Sequence, residues 1–532
     1  MSYFSQAMLT RLEVNNFKNL VAIDVRFGAF TCIAGANGVG KSNLFDAIRF
    51  LSLLTDWPIL DAVMSMRDEG NRSSDLRTLF HKAGDRYADT MTFAVEMITP
   101  PEGVDDLGQP AKASLTFVRY ELHIRYRDAD AHNPAGSLEI THESLRPLGM
   151  AEARKTLGFP HSPAFRTSAL VSYRKRKGTA FISTIQSEEG KCVIQLHQDG
   201  GSSGQPQKRL ATALPRTVLS VTNATEHPTA LMAKREMQSW QMLQMEPTAL
   251  RAPDELSLSA SSHIAANGAH LPATLFRLAS LEMLRQGPPT PHQLPLEDQA
   301  LAGVFSRVAR RLNELIEDVR DISVDRDDKR QLLVLKVRLK DGTELPARSL
   351  SDGTLRFLAL AVLEQDSQAQ GLLCLEEPEN GIHPARIAAM LRLLNDIACD
   401  ATTAIGPDNP LRQVIINTHA PAVVQEVPDD SLVLADTVAT RRAATPTQPA
   451  SSYRTLSLSC LSATWRSDEA RREATPGEEP MPTMARGKLV RYLDPVAEEP
   501  VALEDAPPRQ TTRVVDRPDI QALKVRQTTL AL

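Results

Sequence analysis

Apolar and polar positions change their period several times along this 532-residue chain, and the changes divide it. Near the start, Leu12, Val14 and Phe17, then Ile23, Val25 and Phe27, alternate with polar neighbours, and Phe30-Thr31-Cys32-Ile33-Ala34 is a continuous apolar run. Residues two apart share a face of an extended strand, so residues 9 to 34 predict strands of one sheet that ends at a glycine-rich turn. Leu44, Phe45, Ile48, Leu51 and Leu54 then recur at helical spacing and predict a helix from Asn43 to Leu54. Between about 90 and 200 the period returns to two, in Met91 to Ile98, Ser114 to Tyr126, Ser137 to Ile140, Ala180 to Ile185 and Cys192 to His197. These segments predict an inserted antiparallel sheet.

From 225 to 320 the pattern is helical, in Thr229 to Glu246, Pro272 to Arg285 and Leu296 to Ile322, broken by loops such as Gln286-Gly287-Pro288-Pro289. Gln331 to Leu339 and Glu344 to Ala347 read as strands around an Asp341-Gly342 turn. No heptads persist, which argues against a long coiled-coil arm. After Leu434 the chain turns rich in Thr, Ala, Pro and charge (Thr437 to Ser452, Glu473 to Thr483, Glu498 to Thr512), a composition that struggles to form a core. Two islands in it, Tyr453 to Trp465 and Lys488 to Leu493, carry enough apolar and aromatic residues to pack on the core or hold a partner.

The expected organisation is therefore residues 1–90, the N-terminal part of an α/β core; 91–222, the antiparallel β region; 223–325, a helical subdomain; 326–436, the C-terminal part of the core; and 437–532, a poorly structured tail. A net charge of -5 gives no global nucleic-acid signature, so any DNA contact needs a local patch such as Arg174-Lys175-Arg176-Lys177, which reads equally as a solvated loop. The five cysteines are scattered with no C-x-x-C pair, which fits reduced thiols in a cytoplasmic protein, and no run approaches the ~20 apolar residues that cross a bilayer.

The chemistry concentrates where apolar strands end. Gly35-Ala36-Asn37-Gly38-Val39-Gly40-Lys41-Ser42 fits G-x-x-x-x-G-K-[ST] and stands between a strand and a helix, so its backbone N–H groups and the helix dipole would cradle a phosphate. Lys41 would reach the β and γ oxygens, and the Ser42 hydroxyl would hold Mg²⁺. Leu372-Leu373-Cys374-Leu375-Glu376-Glu377 is an apolar strand ending in two carboxylates. Neighbours at a strand end point to opposite sides, which leaves Glu376 for the metal and Glu377 for an attacking water. Ser351 is placed as the N-cap of a helix that follows Leu350-Ser351-Asp352-Gly353-Thr354, and with Gly353 it offers a hydroxyl and free N–H groups to an anion. Gln413-Val414-Ile415-Ile416-Asn417-Thr418 ends in His419, whose imidazole could orient the water.

In this order, Asn16-Phe17-Lys18-Asn19-Leu20, Gly35 to Asn43, Leu350 to Thr354, Leu375 to Pro384 and Asn417 to Pro421 resemble the ABC-type ATPases of the RecF, SMC and OLD group, over residues 8 to 435. The resemblance implies an ABC-type P-loop head that uses ATP and Mg²⁺. Glu376 would be the metal acid, Glu377 the catalytic acid and His419 the switch histidine. Two nucleotides would be sandwiched between two heads, with Ser351 and Gly353 of one touching the γ-phosphate held by Lys41 of the other, hence a homodimer or a higher even-numbered oligomer. The signature departs from LSGGQ in its second glycine and its glutamine, and Glu376 stands where aspartate is commoner, so the hydrolysis rate stays open. The family's metal-contacting glutamine falls, if anywhere, at Gln238 or Gln241. No clustered acids on strand ends suggest the TOPRIM nuclease domain of the OLD family. Gln238-Ser239-Trp240 to Arg251, Thr464-Trp465-Arg466, Gly487 to Leu493 and the overall length resemble the PtuA-type ATPases of Septu and retron anti-phage defence, which work with a separate HNH nuclease, while a RecF-like DNA-binding role and a nucleotide-sensing scaffold stay open beside it.

Overall fold

The structure is a computed structural model that describes residues 8–66, 75–129, 136–149, 153–172, 179–199, 204–257, 262–286, 296–369, 371–442, 451–467, 480–485, 489 and 492–493. It is a mixed α/β fold in layers. A six-stranded sheet runs in the order Gln241–Leu243, Gly371–Glu376, Arg412–Thr418, Phe30–Ala34 (β3), Leu432–Arg442, Ser451–Ser459. The first five strands are parallel, and the last pairs antiparallel with its neighbour. Near-continuous apolar runs such as Leu372 to Leu375 and Val414 to Ile416 suit strands covered on both faces.

Their alternation decides which layer each side chain meets. Ile33, Leu372, Cys374 and Ile415 pack with Leu44, Ile48 and Leu51 of the helix Lys41–Leu53 (α1), which lies between this sheet and the antiparallel one. Cys32, Leu373, Leu375, Val414 and Ile416 face the other way, onto the helices Asp352–Gln365 and Ile387–Ile397. All five periodic positions predicted for α1 are buried. Phe50 adds a stack on Phe17 at 5.9 Å, and Phe93 closes edge-on at 5.5 Å from Phe17.

The antiparallel sheet has eight strands, and here one expectation is corrected. Met8–Asn15 (β1) and Ile23–Arg26 (β2), expected to belong to the same sheet as β3, form one edge of this sheet instead. β1 pairs with Thr90–Ile98, Leu12 opposite Val95, a partner some eighty residues away that local alternation does not reveal. Beyond it follow Phe117–Arg127, Ser137–Pro147, Ile182–Gln186, Cys192–Leu196 and Gln207–Leu210, so the sheet begins before residue 91.

The expected helix Thr229 to Glu246 ends at Gln238, and Gln241–Leu243 becomes a short strand because the open edge of Gly371–Glu376 offers a parallel ladder, Gln241 opposite Leu373. The expected helix Leu296 to Ile322 likewise ends at Asn313, and Val319–Asp327 pairs with Leu332–Leu339. Together with Leu271–Gln286 these elements make a smaller helix and sheet lobe against the helix Asp352–Gln365. In the expected tail, Thr437 to Arg442 continue a strand, and Leu456 and Leu458 turn their alternate positions into the core. Arg466 fixes the same island by donating to the carbonyl of Arg26 at 3.2 Å, so Tyr453 to Trp465 packs on the core. Arg174 to Lys177, the loop at 287–289 and Glu498 to Thr512 lie outside the described residues. Four of the free cysteines are buried and Cys192 is half-buried. Among the described residues no helix is long and apolar enough to cross a membrane.

Candidate functional site

β3, Gly371–Glu376 and Arg412–Thr418 are adjacent and parallel, so their carboxyl ends open on one crevice, where ligands of open α/β sheets bind. A cavity of about 570 Å³ lies there, lined by Asn37, Gly38, Gly40, Lys41, Ser42 and Asn43 on one side and by Glu376, Glu377, Asn380 and Asn417 on the other. The phosphate-loop residues and both carboxylates are thus brought together from segments more than 300 residues apart.

Gly35 and Ala36 sit behind the cavity, and their carbonyls accept from Lys41 Nζ at 2.7 and 2.9 Å. Burial pulls the Lys41 ammonium below its ordinary range, against the opposing charges of Glu377, Glu379 and Glu376. Gly35 admits no side chain, since a Cβ would stand 2.3 Å from the carbonyl oxygen of Ala435. α1 begins at Lys41 directly after Gly40, so its first N–H groups and its dipole face the cavity.

Glu377 is held on every side. Its backbone adopts φ 45, a left-handed conformation rare for a residue with a side chain. Its N–H reaches both the carbonyl of Asn417 at 3.0 Å and Asn417 Oδ1 at 3.1 Å. Its carboxylate accepts from Asn380 Nδ2 at 2.9 Å and lies 2.6 Å from His419 Nδ1. Burial disfavours the charge, but the bonds from Asn380 and His419 and the ammonium of Lys41 hold the carboxyl below the usual carboxylate range. His419 reaches the cavity through this contact. Glu376 accepts from Asn417 Nδ2 at 3.2 Å, so one asparagine sets both acids.

Ser42, Glu376 and the Gln244 amide are among the oxygen donors that line the cavity, together with Glu377, Glu246 and the asparagines, and Ser42 and Glu376 are the pair that would hold a divalent cation beside the phosphate loop. Hard oxygen donors, few from the protein and the rest from phosphate and water, suit Mg²⁺, and this set fits it. Gln244 lines this cavity, whereas Gln238 and Gln241, the two positions expected for a metal-contacting glutamine, do not. Gln238 Nε2 donates to Asp56 Oδ1 at 2.5 Å, and Gln241 sits in the adjoining cleft beside Trp240, whereas Gln244 follows the short strand into the nucleotide-sized cavity.

Ser351 caps the helix Asp352–Gln365, its Oγ accepting from the Thr354 N–H at 3.2 Å. Ser351 is exposed and lies outside the lining of its own subunit's cavity. Gly353 lets the helix touch the loop after Glu377, for a Cβ there would come 2.0 Å from the carbonyl oxygen of Gly381. Arg356, one turn on, donates to the carbonyl of Met245 at 3.1 Å and of Asn380 at 2.8 Å, tying this helix to the Gln244 segment and to the loop that holds Glu377. Neither Arg356, Asn417 nor Gln244 was legible beforehand. Asn417 had a signal, as the last polar residue of an apolar strand directly before Thr418 and His419.

An α/β phosphate-loop fold with a paired-acid strand and a capped signature helix defines an ATPase-type domain. Residues 30–93 and 250–425 match the family described as "AAA domain, putative AbiEii toxin, Type IV TA system". These two stretches, which hold the phosphate loop and the paired-acid strand, are similar to an AAA-family ATPase domain of this AbiEii-like kind. Among curated proteins, the DNA replication and repair protein RecF of Bacteroides thetaiotaomicron is 46% identical over 46 residues, 8% of this chain and 12% of that protein. RecF of Porphyromonas gingivalis is 46% identical over 46 residues, covering 13% of its length. The chain thus spans about an eighth of the curated relatives it matches. Among solved structures, an Smc head bound to the C-winged helix domain of ScpA is similar over 84% of this chain and 98% of that one, at 14% identity and a TM-score of 0.40. The Smc head with an extended coiled coil bound to the C-terminal domain of ScpA from Pyrococcus furiosus is similar at 12% identity and a TM-score of 0.39, covering 84% and 96%.

Proposed function

We propose that this chain binds and hydrolyses ATP, dimerises around it, and through that cycle regulates a separate nuclease in anti-phage defence. The observation that carries the enzymatic part is Glu377, held between His419 and Asn380 at the wall of the cavity that Lys41 and Ser42 also line. The loop amides and Lys41 bind the phosphates, and Lys41 exchanges its two loop carbonyls for phosphate oxygens. Ser42 and Glu376 would hold Mg²⁺, which would supply charge neutralisation on the phosphates. Glu377 orients and deprotonates the attacking water, and His419 and Asn380 keep its carboxylate aimed.

The exposed Ser351 and the buried Gly353, at a helix start outside the subunit's own cavity, suit completion of a partner's site across a two-fold axis. ATP then acts as the clamp between heads, and hydrolysis releases it. The defence role rests on the resemblance of the Leu375 to Pro384 string to the OLD-like branch and of Gln238 to Arg251, Thr464 to Arg466, Gly487 to Leu493 and the overall length to PtuA-type ATPases. An HNH nuclease is the partner this implies.

The 46-residue similarity to RecF favours a second reading, a DNA-repair ATPase that holds DNA in its ATP-bound state. Affinity purification from the native host, with mass spectrometry and a DNA-cleavage assay with and without ATP, separates the two. A stoichiometric nuclease whose cleavage responds to nucleotide supports the defence reading. An ATPase that purifies alone and holds DNA only with ATP, with a steep salt dependence, replaces it by the repair reading.

A further inference from the structure

The segment Asn16-Phe17-Lys18-Asn19-Leu20 has no role in the chemistry proposed for the cavity, yet it lies against the phosphate loop. From the geometry we infer that Asn19 is a positioning residue that fixes the Val39–Gly40 peptide so that the Gly40 N–H faces the phosphate; the inference rests on the nucleotide-binding reading of the cavity.

Asn19 Nδ2 donates to the carbonyl oxygen of Val39 at 2.9 Å, and Asn19 Oδ1 accepts from Asn43 Nδ2 at 2.8 Å. In a trans peptide the C=O and the following N–H point in opposite directions. A Val39 carbonyl turned to Asn19 therefore turns the Gly40 N–H the other way, and Gly40 lines the cavity. Gly40 adopts φ 106, a conformation open to glycine, and a Cβ there would lie 2.1 Å from Asn19 Nδ2. Gly40 is thus required twice, by its own backbone and by the amide braced against it. Without that brace, a glycine-flanked peptide is free to rotate its dipole and present a carbonyl to the phosphate, replacing attraction by repulsion.

Asn19 is itself held in place. Phe17 and Leu20 exchange backbone bonds at 3.1 and 2.7 Å across a tight turn in which Asn16 and Lys18 take φ 60 and 50. The carbonyl of Asn19 accepts from the Leu456 N–H at 3.0 Å, so the strand Ser451–Ser459 pins the turn from behind. Lys18 Nζ pairs with Asp46 of α1 at 2.6 Å. The side chain that meets Val39 is therefore presented from a fixed backbone, as positioning a loop requires.

The test is MgADP binding by the full chain, with ¹⁵N-glycine labelling to follow the Gly40 amide, for wild type, Asn19→Ala, Asn19→Asp and, as a control, Lys41→Ala. Asn19→Ala is expected to raise Kd about tenfold and to abolish the nucleotide-induced shift of the Gly40 amide, with the thermal midpoint of the nucleotide-free protein unchanged. A residue that merely stabilises the fold would lower that midpoint and leave the Gly40 response of the folded fraction intact, which overturns the assignment. Asn19→Asp keeps the shape and the acceptor for Asn43 while losing the donor to Val39, and it carries the test if Asn19→Ala does not fold. Wild-type affinity in both variants also overturns it. A wild type that binds no MgADP overturns the nucleotide reading as well, which separates the two failures.

Discussion

Replacing Glu377 by Gln removes one negative charge and little else. The carboxylate accepts from Asn380 Nδ2 at 2.9 Å and meets His419 Nδ1 at 2.6 Å. A glutamine with its oxygen toward Asn380 keeps the first bond and offers N–H to His419, which accepts in the tautomer that bears its proton on Nε2. The Glu377 side chain is 30% exposed, so the charge it loses is screened, and the stability change stays below about 1 kcal/mol. The loss in chemistry is larger. A positioned general base contributes roughly 10²- to 10⁴-fold, and an amide cannot take the proton of the attacking water. Phosphate release by Glu377→Gln should therefore fall at least about a hundredfold, while MgATP binding persists and ATP-bound dimers accumulate in light scattering. Turnover within a few-fold of wild type would refute the role given to Glu377, and loss of ATP binding would mean that its charge serves the loop rather than the water.

Other expectations follow from particular contacts. Gly353→Ala places a Cβ 2.0 Å from the backbone oxygen of Gly381, so the signature helix must shift at a cost of about 1–3 kcal/mol; thermal melts should show it, with dimerisation lost before nucleotide binding. Gln244→Ala should raise the Mg²⁺ needed for half-maximal turnover on the order of tenfold, whereas the same change at Gln238 or Gln241 should not, and a metal titration of the three variants compares them. Burial raises the Glu236 carboxyl to about 8, against the hydrogen bond from Trp240 Nε1. Because the folded state favours the neutral form, the stability it lends is complete below the unfolded value near 4.5 and is lost as pH rises through about 8. Glu236→Gln keeps the acceptor for Trp240, so its melting temperature should lose less than that of wild type between pH 7 and 9, and parallel losses would contradict the buried-charge account.

What could be read from the sequence was whatever a local pattern encodes. Phe30 to Ala34, Leu372 to Leu375 and Val414 to Ile416 announce buried strands by unbroken apolar runs, and the polar residues that follow them, Lys41 past the loop, Glu376 with Glu377, and His419, meet around one crevice because parallel strands share their carboxyl ends. What stayed hidden depends on partners far along the chain. β1 alternates as well for one sheet as for the other, and only its pairing with Thr90–Ile98 decides. Gln241–Leu243 is too short for any period to show, and it is a strand only because Leu373 to Leu375 present an open edge, which is what carries Gln244 to the cavity. The brace from Asn19 to Val39 is a side-chain bond across twenty residues that no spacing rule encodes.

The most direct test of the account is an equilibrium titration of MgATP into the wild-type chain and into Lys41→Ala. One nucleotide should bind per chain, dependent on Mg²⁺, with the affinity lost in the variant because the ammonium that now rests on the carbonyls of Gly35 and Ala36 is gone. No saturable binding by wild type, or equal binding by the two proteins, would contradict it.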